Sequence, residues 1–279
     1  MNDTSLENML RRFASERPRD IETSLDIMKE HCKVTPPKGA TTVTNLSEIS
    51  TVPKILENSD ALLFKSYLSQ EEIDEILTNI ENNKELLTEY GEHYKVLGRV
   101  WSSDYVMENS DTYWEDAEPS RERFRTVLPN VEEKLLNLCK EHIFKDENVM
   151  VREGFGGPAV VLFKPDENVT GYGGDIHIDW EGLEIENLKE GVPAYSFVCM
   201  LSLPEENGGT GVWNTEFEYN HELNEDVTPE KLRVDYELGD FAMFRSFKLH
   251  NIETILGTTK RVTLIFHVAY LDGYWKIWF

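Results

Sequence analysis

The second half of the chain is a series of short apolar runs with turn signals between them, and this pattern constrains the fold more than any other feature. After residue 150, runs rich in β-branched and aromatic residues alternate with GG, NGG, LGD and LGTTK segments. Many short strands at this spacing favour a two-sheet β-sandwich or jelly roll. The runs are AVVLFKP, DIHIDW, AYSFVCMLSL, TGVWNTEF, DFAMFRSF, RVTLIFHVAYL and YWKIWF.

The first half carries helical signals instead. Ser69 to Glu72 form the pattern of a capping box, and apolar side chains at helical spacing follow them. A second helical region is predicted over residues 120–143, where Pro129 marks a break or a kink. Helices that precede a β-rich half are expected to pack against one face of its sheet.

The domain organisation follows from these two halves. TPPKGATT, residues 35–42, is typical of a loop, and residues 5–33 are expected to form one or two short helices. Residues 1–40 are therefore predicted to be an N-terminal helical extension. Residues 41–279 are predicted to form a single α+β domain, in which helices of the N-terminal half support a β-rich core over about 155–279.

The composition narrows the class of protein. The net charge of −24 disfavours nucleic acid and anionic membranes as partners. The sequence has no run of about 18 apolar residues, so no membrane span is expected, and its N-terminus lacks the apolar segment of a secretory signal. The scattered cysteines, Cys32, Cys139 and Cys199, indicate neither a disulfide framework nor a zinc knuckle. We expect a reducing, cytoplasmic setting.

The segment GDIHIDWEGL, residues 174–183, places a histidine and an aspartate two positions apart. If DIHIDW is a strand, His177 and Asp179 point to one side, and Ile176 and Ile178 point to the other. This pattern is typical of a hydrated strand face, and it also supplies two of the three protein ligands of a non-haem iron site. A third ligand elsewhere in the chain would separate the two interpretations.

His250 is the strongest candidate for the third ligand, because it closes the run GDFAMFRSFKLHNI, which reads as an apolar strand launched by a turn. Arg261 opens the next predicted strand, with Thr263 on the same face. An antiparallel return through LGTTK is expected to bring that face beside His250. The other histidines have other expected settings: His31 in the N-terminal extension, His93 and His142 in the helical half, His221 in an exposed loop, and His267 as a hydrogen-bonded residue inside an apolar strand.

Together these residues make a chemically coherent set. Two imidazoles and one carboxylate on one face of a ferrous ion leave three coordination positions open, enough for a chelating 2-oxo acid and dioxygen. The permanently charged guanidinium of Arg261 suits the far carboxylate of such an acid, because arginine binds carboxylates bidentately. The Thr263 hydroxyl adds one hydrogen bond. The alternative is a hydrated strand face and an unrelated core histidine.

At these positions the sequence resembles the Fe(II)/2-oxoglutarate-dependent oxygenases, whose core is a double-stranded β-helix. The motif HxD…H…RxT of that family matches His177, Asp179, His250, Arg261 and Thr263. The resemblance implies Fe(II) bound by the two histidines and the aspartate, 2-oxoglutarate held as cosubstrate by the arginine and the threonine, and dioxygen. It also implies a small-molecule substrate, amino-acid-like or a specialised metabolite, that is oxidised at an unactivated C–H bond.

Within that family the chain is similar to the small-molecule branch that includes the cyanobacterial indole-alkaloid halogenases. PEENGGTGVWNTEFEYN, residues 204–220, and the aromatic terminus YWKIWF carry this likeness. The halogenases have glycine or alanine where this chain has Asp179, which opens a coordination position for chloride. The carboxylate therefore implies hydroxylation, with oxidative cyclisation or desaturation by the same iron centre as the alternative. A non-catalytic jelly-roll binding module is the alternative from another class.

Several residues around the motif are candidates for contact with the substrate. Trp180 and Glu181 directly follow the HxD pair, although a core position suits Trp180 equally well. Arg245 is a cation in an apolar run, and it is expected to bind either a substrate carboxylate or a neighbouring acid. The remaining candidates are Trp213, and Asn168 and Tyr172 near or within the glycine-rich VTGYGG segment, which suits a lid.

Overall fold

Helices dominate the first half of the chain and strands dominate the second. The computed structural model describes residues 4–49, 52–90, 94–100, 110–145, 147–164, 174–224 and 226–279. The α-helices are α1 (Thr4–Glu16), α2 (Ile21–Met28), α3 (Val52–Glu57), α4 (Gln70–Asn82), α5 (Ser110–Val127), α6 (Val131–Asn137) and α7 (Ile185–Glu190). A π-helical segment, Leu138–Ile143, continues α6.

The strands are short, as the sequence pattern predicts. They are β1 (Cys32–Val34), β2 (Ala40–Val43), β3 (Ala61–Phe64), β4 (Thr88–Tyr90), β5 (Tyr94–Leu97), β6 (Val149–Val151), β7 (Ala159–Phe163), β8 (Ala194–Ser202), β9 (Glu206–Asn207), β10 (Thr210–Phe217), β11 (Lys231–Val234), β12 (Phe241–Arg245), β13 (Lys248–Ile252), β14 (Ile255–Leu256), β15 (Arg261–Leu271) and β16 (Tyr274–Trp278).

Two sheets form the core. The larger sheet has the order β2–β3–β12–β8–β15–β7–β5–β4, and β16 joins it beside β15 and pairs in parallel with β6. In the smaller sheet β10 is central, with β13 on one side and with β11 and β1 on the other. The chain passes from the larger sheet to the smaller one between β12 and β13. This two-sheet arrangement with helices confirms the predicted α+β, jelly-roll fold.

The register of the larger sheet gathers one row of side chains on a single face. Side chains alternate along β15, so Arg261, Thr263, Ile265 and His267 share that face. Directly opposed residues of neighbouring strands share it as well. They are Phe163 and Tyr94 in line with Arg261, Val161, Val96 and Met200 in line with Thr263, Ala159 and Val198 in line with Ile265, and Ser196 and Phe244 in line with His267.

The opposite face of the larger sheet packs against the helices. Val262, Leu264 and Phe266 of β15 belong to an apolar cluster that also contains Ile73 of α4 and Phe124 of α5. Burying a side chain of this size contributes roughly 1.5–3 kcal/mol to stability. The helices of the first half therefore cover the outer face of the sheet and leave its inner face to the smaller sheet.

The helix boundaries follow the signals in the sequence. The Ser69 hydroxyl accepts the backbone N–H of Glu72, and the Glu72 carboxylate accepts the N–H of Ser69, so both halves of the capping box form. The break at Pro129 is also confirmed, because α5 ends at Val127 and α6 begins at Val131. Among the described residues, none of the helices combines the length and the apolarity that crossing a bilayer requires.

The segment DIHIDW is extended, but it is not a regular strand, and the prediction was wrong on this point. His177 and His250 form one isolated antiparallel bridge, with N–O distances of 3.0 and 2.9 Å. The Asp179 N–H then donates to the carbonyl of Ser246 at 2.8 Å, in the turn that precedes β13, so the ladder ends after one pair. Ile176 and Ile178 are both buried on the far side. The alternation of side chains therefore holds without a continuous ladder.

The run that ends at His250 is two strands rather than the single predicted strand. The chain turns at Ser246 and Phe247, which places β12 in the larger sheet and β13 in the smaller one. β15 pairs with β7 and β8, whereas β13 pairs with β10. The expected return through LGTTK to a position beside His250 is therefore wrong, because Arg261 and His250 lie on strands of different sheets.

Residues of the predicted N-terminal extension contribute strands as well as helices. β1 pairs with β10 through Cys32 and Phe217 and their neighbours. β2 begins at Ala40, inside the segment predicted as a loop, and runs parallel to β3. The loop is therefore shorter than predicted, since the backbone of Ala40 pairs with Ala61 at the edge of the larger sheet.

A buried ion pair ties the N-terminal segment to the strand that carries His250. Lys248 and Asp60 are only 4% and 2% exposed, and Lys248 Nζ lies 2.9 Å from Asp60 Oδ1. The other Asp60 oxygen accepts the backbone N–H groups of Lys38 and Gly39 at 2.7 and 3.0 Å. A buried pair of this kind is destabilising once one partner is removed, because the remaining charge has no counterion.

Asp60→Ala is predicted to lower the free energy of unfolding by about 3–5 kcal/mol, because it leaves the Lys248 ammonium buried and unpaired. Lys84→Met is the matched control, since it breaks the pair of Lys84 with Glu81, whose side chains are 71% and 69% exposed. Such surface pairs contribute about 0–1 kcal/mol. Equilibrium unfolding in urea measures both variants, and equal losses of stability would contradict the role of the buried pair.

Candidate metal centre

Three donor side chains converge between the two sheets. His177 Nε2 lies 3.6 Å from Asp179 Oδ1, and His250 Nε2 lies 3.2 Å from Asp179 Oδ2. The centroids of the two imidazole rings are 4.3 Å apart. One donor atom from each of the three residues lies within 4.8 Å of the others. A single metal ion can bridge donors at this spacing, and we refer to the three residues as the HDH triad.

Hydrogen bonds orient both histidines of the HDH triad. His177 Nδ1 lies 2.7 Å from the carbonyl oxygen of Asp175, and His250 Nδ1 lies 2.8 Å from that of Lys248. A carbonyl oxygen only accepts, so each Nδ1 carries a proton and donates it. The Nε2 atoms are therefore the nitrogens that face Asp179. Metal-binding histidines are held in this way, with the second ring nitrogen fixed by a hydrogen bond.

The charges at the HDH triad suit a cation. Burial, reinforced by the neighbouring His250, lowers the pKa of His177 to about 4, so that this imidazole is neutral at pH 7. Burial works against ionisation of Asp179, but the imidazoles of His250 and His267 outweigh it and hold the pKa of that carboxyl far below its usual range. Asp179 likewise outweighs burial at His250 and raises the pKa of that imidazole.

The donor set fits Fe(II). Two imidazole nitrogens and one carboxylate oxygen are the ligands of the 2-His-1-carboxylate iron centres, and they leave further coordination positions open. A metal ion there would balance the charge of Asp179, whose Oδ2 lies 3.2 Å from His250 Nε2. Metal binding at such a site displaces a proton and is linked to pH for that reason.

A second set of donors overlaps the HDH triad. Asp179, Glu181 and His267 also place one donor atom each within 4.8 Å of one another. His267 Nδ1 lies 3.7 Å from Asp179 Oδ2 and 3.2 Å from the hydroxyl of Ser196. The side chain of His267 is 11% exposed. His267 thus has the hydrogen-bonded setting predicted from the sequence, in a partly buried position, and it also lies beside Asp179.

Arg261 is buried at the start of β15. It is 1% exposed, its Nε donates to the carbonyl of Gly208 at 2.7 Å, and its Nη1 lies 3.4 Å from the Thr263 hydroxyl oxygen. Burial lowers the pKa of Arg261 to about 10, so the guanidinium keeps its charge at pH 7. Among the residues that the structure describes, no carboxylate forms an ion pair with it.

A row of side chains on the smaller sheet leads from the HDH triad towards Arg261. Val212 lies opposite His250 in the pairing of β10 with β13. Thr210 is two residues along the same face, and its hydroxyl oxygen lies 2.9 Å from that of Tyr236. Tyr236 in turn interacts with the charge of Arg261. Residues two apart on one face of a strand lie roughly 7 Å from each other. These contacts therefore run along one face of the smaller sheet from the triad to the guanidinium, and both groups face the same space between the sheets.

Trp180 and Glu181 have different surroundings, although both follow the HxD pair. Trp180 packs against the apolar cluster that contains Trp278, which supports the core alternative for this residue. Glu181 directs its carboxylate to the donor atoms of Asp179 and His267, and its carbonyl accepts the indole N–H of Trp278 at 3.0 Å. Of the two, Glu181 is the side chain that borders the metal site.

The other predicted substrate residues have structural partners or lie elsewhere. Arg245 Nε lies 2.7 Å from Glu216 Oε1, which matches the alternative of a neighbouring acid. Trp213 is 6% exposed in an apolar cluster, with the ammonium of Lys231 at 5.4 Å from its ring centroid. Two candidates lie outside the described residues, namely Asn168 and Tyr172.

Two serines that contact the site were not predicted from the sequence. Ser196 donates to Asp179 Oδ2 at 2.5 Å, and its oxygen lies 2.9 Å from that of Ser246. Each serine is 2% exposed, and each lies in a run that is otherwise mostly apolar, AYSFVCMLSL or DFAMFRSF. A buried hydroxyl needs a hydrogen-bond partner, so these serines were the available signal, but they do not reveal which partner the hydroxyl meets.

Comparison with known proteins finds similar structures, but no matching family model and no matching curated protein. A crystal structure of an N-substituted L-amino acid dioxygenase from Burkholderia ambifaria AMMD is similar at a TM-score of 0.54 and 13% identity, over 89% of this chain and 98% of that one. The chain has the fold of a dioxygenase.

A second structure supports the same conclusion about the fold. An N-substituted L-amino acid dioxygenase from Burkholderia ambifaria AMMD in complex with alpha-KG is similar at a TM-score of 0.50 and 15% identity, over 82% of this chain and 92% of that one. At such identities the likeness concerns the arrangement of helices and strands. Function must therefore be argued from the residues of this chain.

His250→Ala is predicted to weaken the binding of Co(II), a stable substitute for Fe(II), by more than about 100-fold, because loss of a ligand exceeds the 10–100-fold cost of losing an outer partner. His221→Ala is the control, since that imidazole is 37% exposed and lies 3.4 Å from Glu218. Titration calorimetry on the metal-free protein measures both. Equal affinity in the two variants would show that His250 is not a ligand.

Proposed function

We propose that this protein is a 2-oxoglutarate-dependent non-haem iron oxygenase that oxidises an unactivated C–H bond of a small molecule. The observation that carries the proposal is the pairing, across the two sheets of one jelly roll, of the HDH triad with the buried Arg261. The HDH triad offers ligands for a cation, and Arg261 offers hydrogen-bond donors for an anion. One complex of iron with a diacid would satisfy both.

The first requirement is a cation at the HDH triad. His177, Asp179 and His250 would hold Fe(II) through two nitrogens and one oxygen. Their orientation is prepared, because the carbonyls of Asp175 and Lys248 hold the Nδ1 atoms and because the imidazole neighbours keep Asp179 ionised. The protein therefore does not have to rearrange these ligands when the metal binds.

The second requirement is an anion at Arg261. Transfer of a guanidinium from water to a buried site is costly unless the charge is paired. A guanidinium has five N–H donors, and the described residues accept two of them, at Gly208 and Thr263. The remaining donors are available to an incoming carboxylate. Arg261 and Thr263 would thus bind the far carboxylate of 2-oxoglutarate.

Different residues of the chain then bind the metal, bind the cosubstrate and exclude water. Bound iron, together with 2-oxoglutarate and dioxygen, would supply the oxidising chemistry, with succinate and carbon dioxide as the expected products of the cosubstrate. Arg261 and Thr263 fix the far end of the diacid, while the HDH triad fixes the near end. Val198 and Ile265 lie opposite each other on the inner face between these ends and present apolar, partly buried side chains that exclude water.

Asp179 supports hydroxylation as the outcome. Its carboxylate would occupy the coordination position that the halogenases leave for chloride, so halogenation is disfavoured. Oxidative cyclisation or desaturation by the same centre remains the alternative, and product mass separates them, since hydroxylation adds one oxygen and the alternatives remove two hydrogens. A non-catalytic binding module predicts neither tight Fe(II) binding nor release of succinate.

The substrate is proposed to be amino-acid-like or a specialised metabolite. The dioxygenases that share the fold act on N-substituted L-amino acids, so this class is the first to test. The three cysteines are buried and free, which supports the proposed reducing, cytoplasmic setting.

Incubation with Fe(II), 2-oxoglutarate, dioxygen and a panel of N-substituted L-amino acids and related metabolites is predicted to release succinate with at least one member. The product is predicted to gain one oxygen. Asp179→Ala is predicted to abolish that product, because it removes a ligand, whereas Asp235→Ala, a change at an acid 68% exposed, leaves it intact. Mass spectrometry detects both products. Full hydroxylation by Asp179→Ala would contradict the proposed ligand set.

Arg261→Met is predicted to raise the Kd for 2-oxoglutarate at least about 30-fold, since truncating one partner of a buried charge pair costs about 2 kcal/mol or more. Arg233→Met is the control, because that side chain is 46% exposed and pairs with Asp235. Anaerobic calorimetry with the Fe(II) form measures the effect. Unchanged affinity in Arg261→Met, with metal still bound, would exclude Arg261 as the cosubstrate site.

A further inference from the structure

Ser196 lies between the two overlapping sets of donors. One set is the HDH triad, and the second set consists of Asp179, Glu181 and His267. Ser196 contacts the residue that both sets share, Asp179, and also His267 of the second set. The two sets share the Asp179 carboxylate, so a single metal ion has to occupy one set or the other.

The protons around Ser196 can be assigned. Its oxygen lies 2.5 Å from Asp179 Oδ2, 2.9 Å from the hydroxyl oxygen of Ser246 and 3.2 Å from His267 Nδ1. A serine has one proton to donate and two lone pairs to accept with. The ionised carboxylate of Asp179 only accepts, so Ser196 donates to it. Ser246 and His267 must then donate to Ser196, which places a proton on His267 Nδ1.

This hydrogen-bond network is shielded from solvent at its two serines. Ser196 and Ser246 are each 2% exposed. Ser196 stands in the central part of the larger sheet, directly opposite Phe244 on one side and His267 on the other. A hydrogen bond from a hydroxyl to a buried carboxylate is charge-assisted and stronger than a neutral one. The hydroxyl therefore has a fixed position from which to orient Asp179.

We propose that Ser196 is a positioning residue that directs the metal to the HDH triad and away from the second set. This inference rests on the proposed function. The hydroxyl holds Asp179 Oδ2 beside His250, and it engages the protonated Nδ1 of His267, the nitrogen that lies 3.7 Å from Asp179. Without the hydroxyl, the Asp179 carboxylate loses the hydrogen bond that holds Oδ2 beside His250, and it can turn towards His267.

The test compares Ser196→Ala with Ser196→Thr, which keeps a hydroxyl. Ser196→Ala is expected to weaken Co(II) binding by about 10–100-fold, the usual effect of losing an outer partner of a ligand, and to change the Co(II) absorption spectrum. Ser196→Thr is expected to restore both. Ser120→Ala is the matched control, because Ser120 is 1% exposed and donates to the carbonyl of Ala117 within α5.

A second substitution identifies where the metal goes. Glu181→Gln is expected to lower Co(II) affinity only slightly in the wild-type background, since Glu181 belongs to the second set. In the Ser196→Ala background the same change is expected to lower the remaining affinity by a larger factor, because the metal then uses that set. The thermal midpoint of metal-free Ser196→Ala, compared with that of Ser120→Ala, shows whether the folded state is intact.

The outcomes decide between the inference and the proposed function. Wild-type Co(II) affinity and spectrum in Ser196→Ala overturn this inference alone, provided that the wild-type protein binds Co(II) and then 2-oxoglutarate. A wild-type protein that binds no Co(II) overturns the proposed function as well. If Ser196→Ala does not fold, Ser246→Ala decides, since it removes the hydroxyl behind Ser196. Weakened Co(II) binding then supports the role of the network, and unchanged binding contradicts it.

Discussion

The buried carboxylate of Asp179 is the group on which the rest of the site depends. An isolated carboxylate would be neutralised in such an environment, because burial strongly disfavours its charged form. Here the imidazoles of His250 and His267 and the hydroxyl of Ser196 surround it and keep it ionised. The same site suits a divalent cation, since one metal ion can balance the carboxylate charge and bind both imidazole nitrogens of the HDH triad.

At the opposite end of the space between the sheets, the buried charge is positive instead of negative. Arg261 is a buried cation with hydrogen bonds to Gly208 and Thr263, and no carboxylate of the described residues pairs with it. A dianion that binds the metal with one end and the guanidinium with the other resolves both charges at once. The strand register of the jelly roll sets this geometry, because β15 carries Arg261 and His267 on one face.

The sequence predicts those parts of the structure that local patterns determine. Alternation of side chains was enough to place His177 and Asp179 together, and the capping box at Ser69 was enough to start α4. The predictions that failed concern contacts between residues that are far apart in the chain. The bond from Asp179 to the carbonyl of Ser246, which ends the ladder after His177, joins segments that are far apart in the chain, and no local pattern indicates it.

The same limit explains why Ser196 was missed. It lies 17 residues from Asp179 in the chain, and only the pairing of β8 with β12 and β15 brings its hydroxyl to the carboxylate. Arg261 was identified from its spacing to His250, yet the expected antiparallel return through LGTTK does not form, because the turn at Ser246 and Phe247 places the strand of His250 in the other sheet. Residue types at the right spacing thus indicate the chemistry, and the three-dimensional pairing supplies the residues that orient it.

Anomalous diffraction from crystals prepared without oxygen, with Mn(II) in place of Fe(II) and with 2-oxoglutarate, tests the central claim most directly. One anomalous peak is predicted within bonding distance of the Nε2 atoms of His177 and His250 and of the Asp179 carboxylate. The diacid should extend from that peak to Arg261. A peak among Asp179, Glu181 and His267, or a diacid that makes no contact with Arg261, would contradict it.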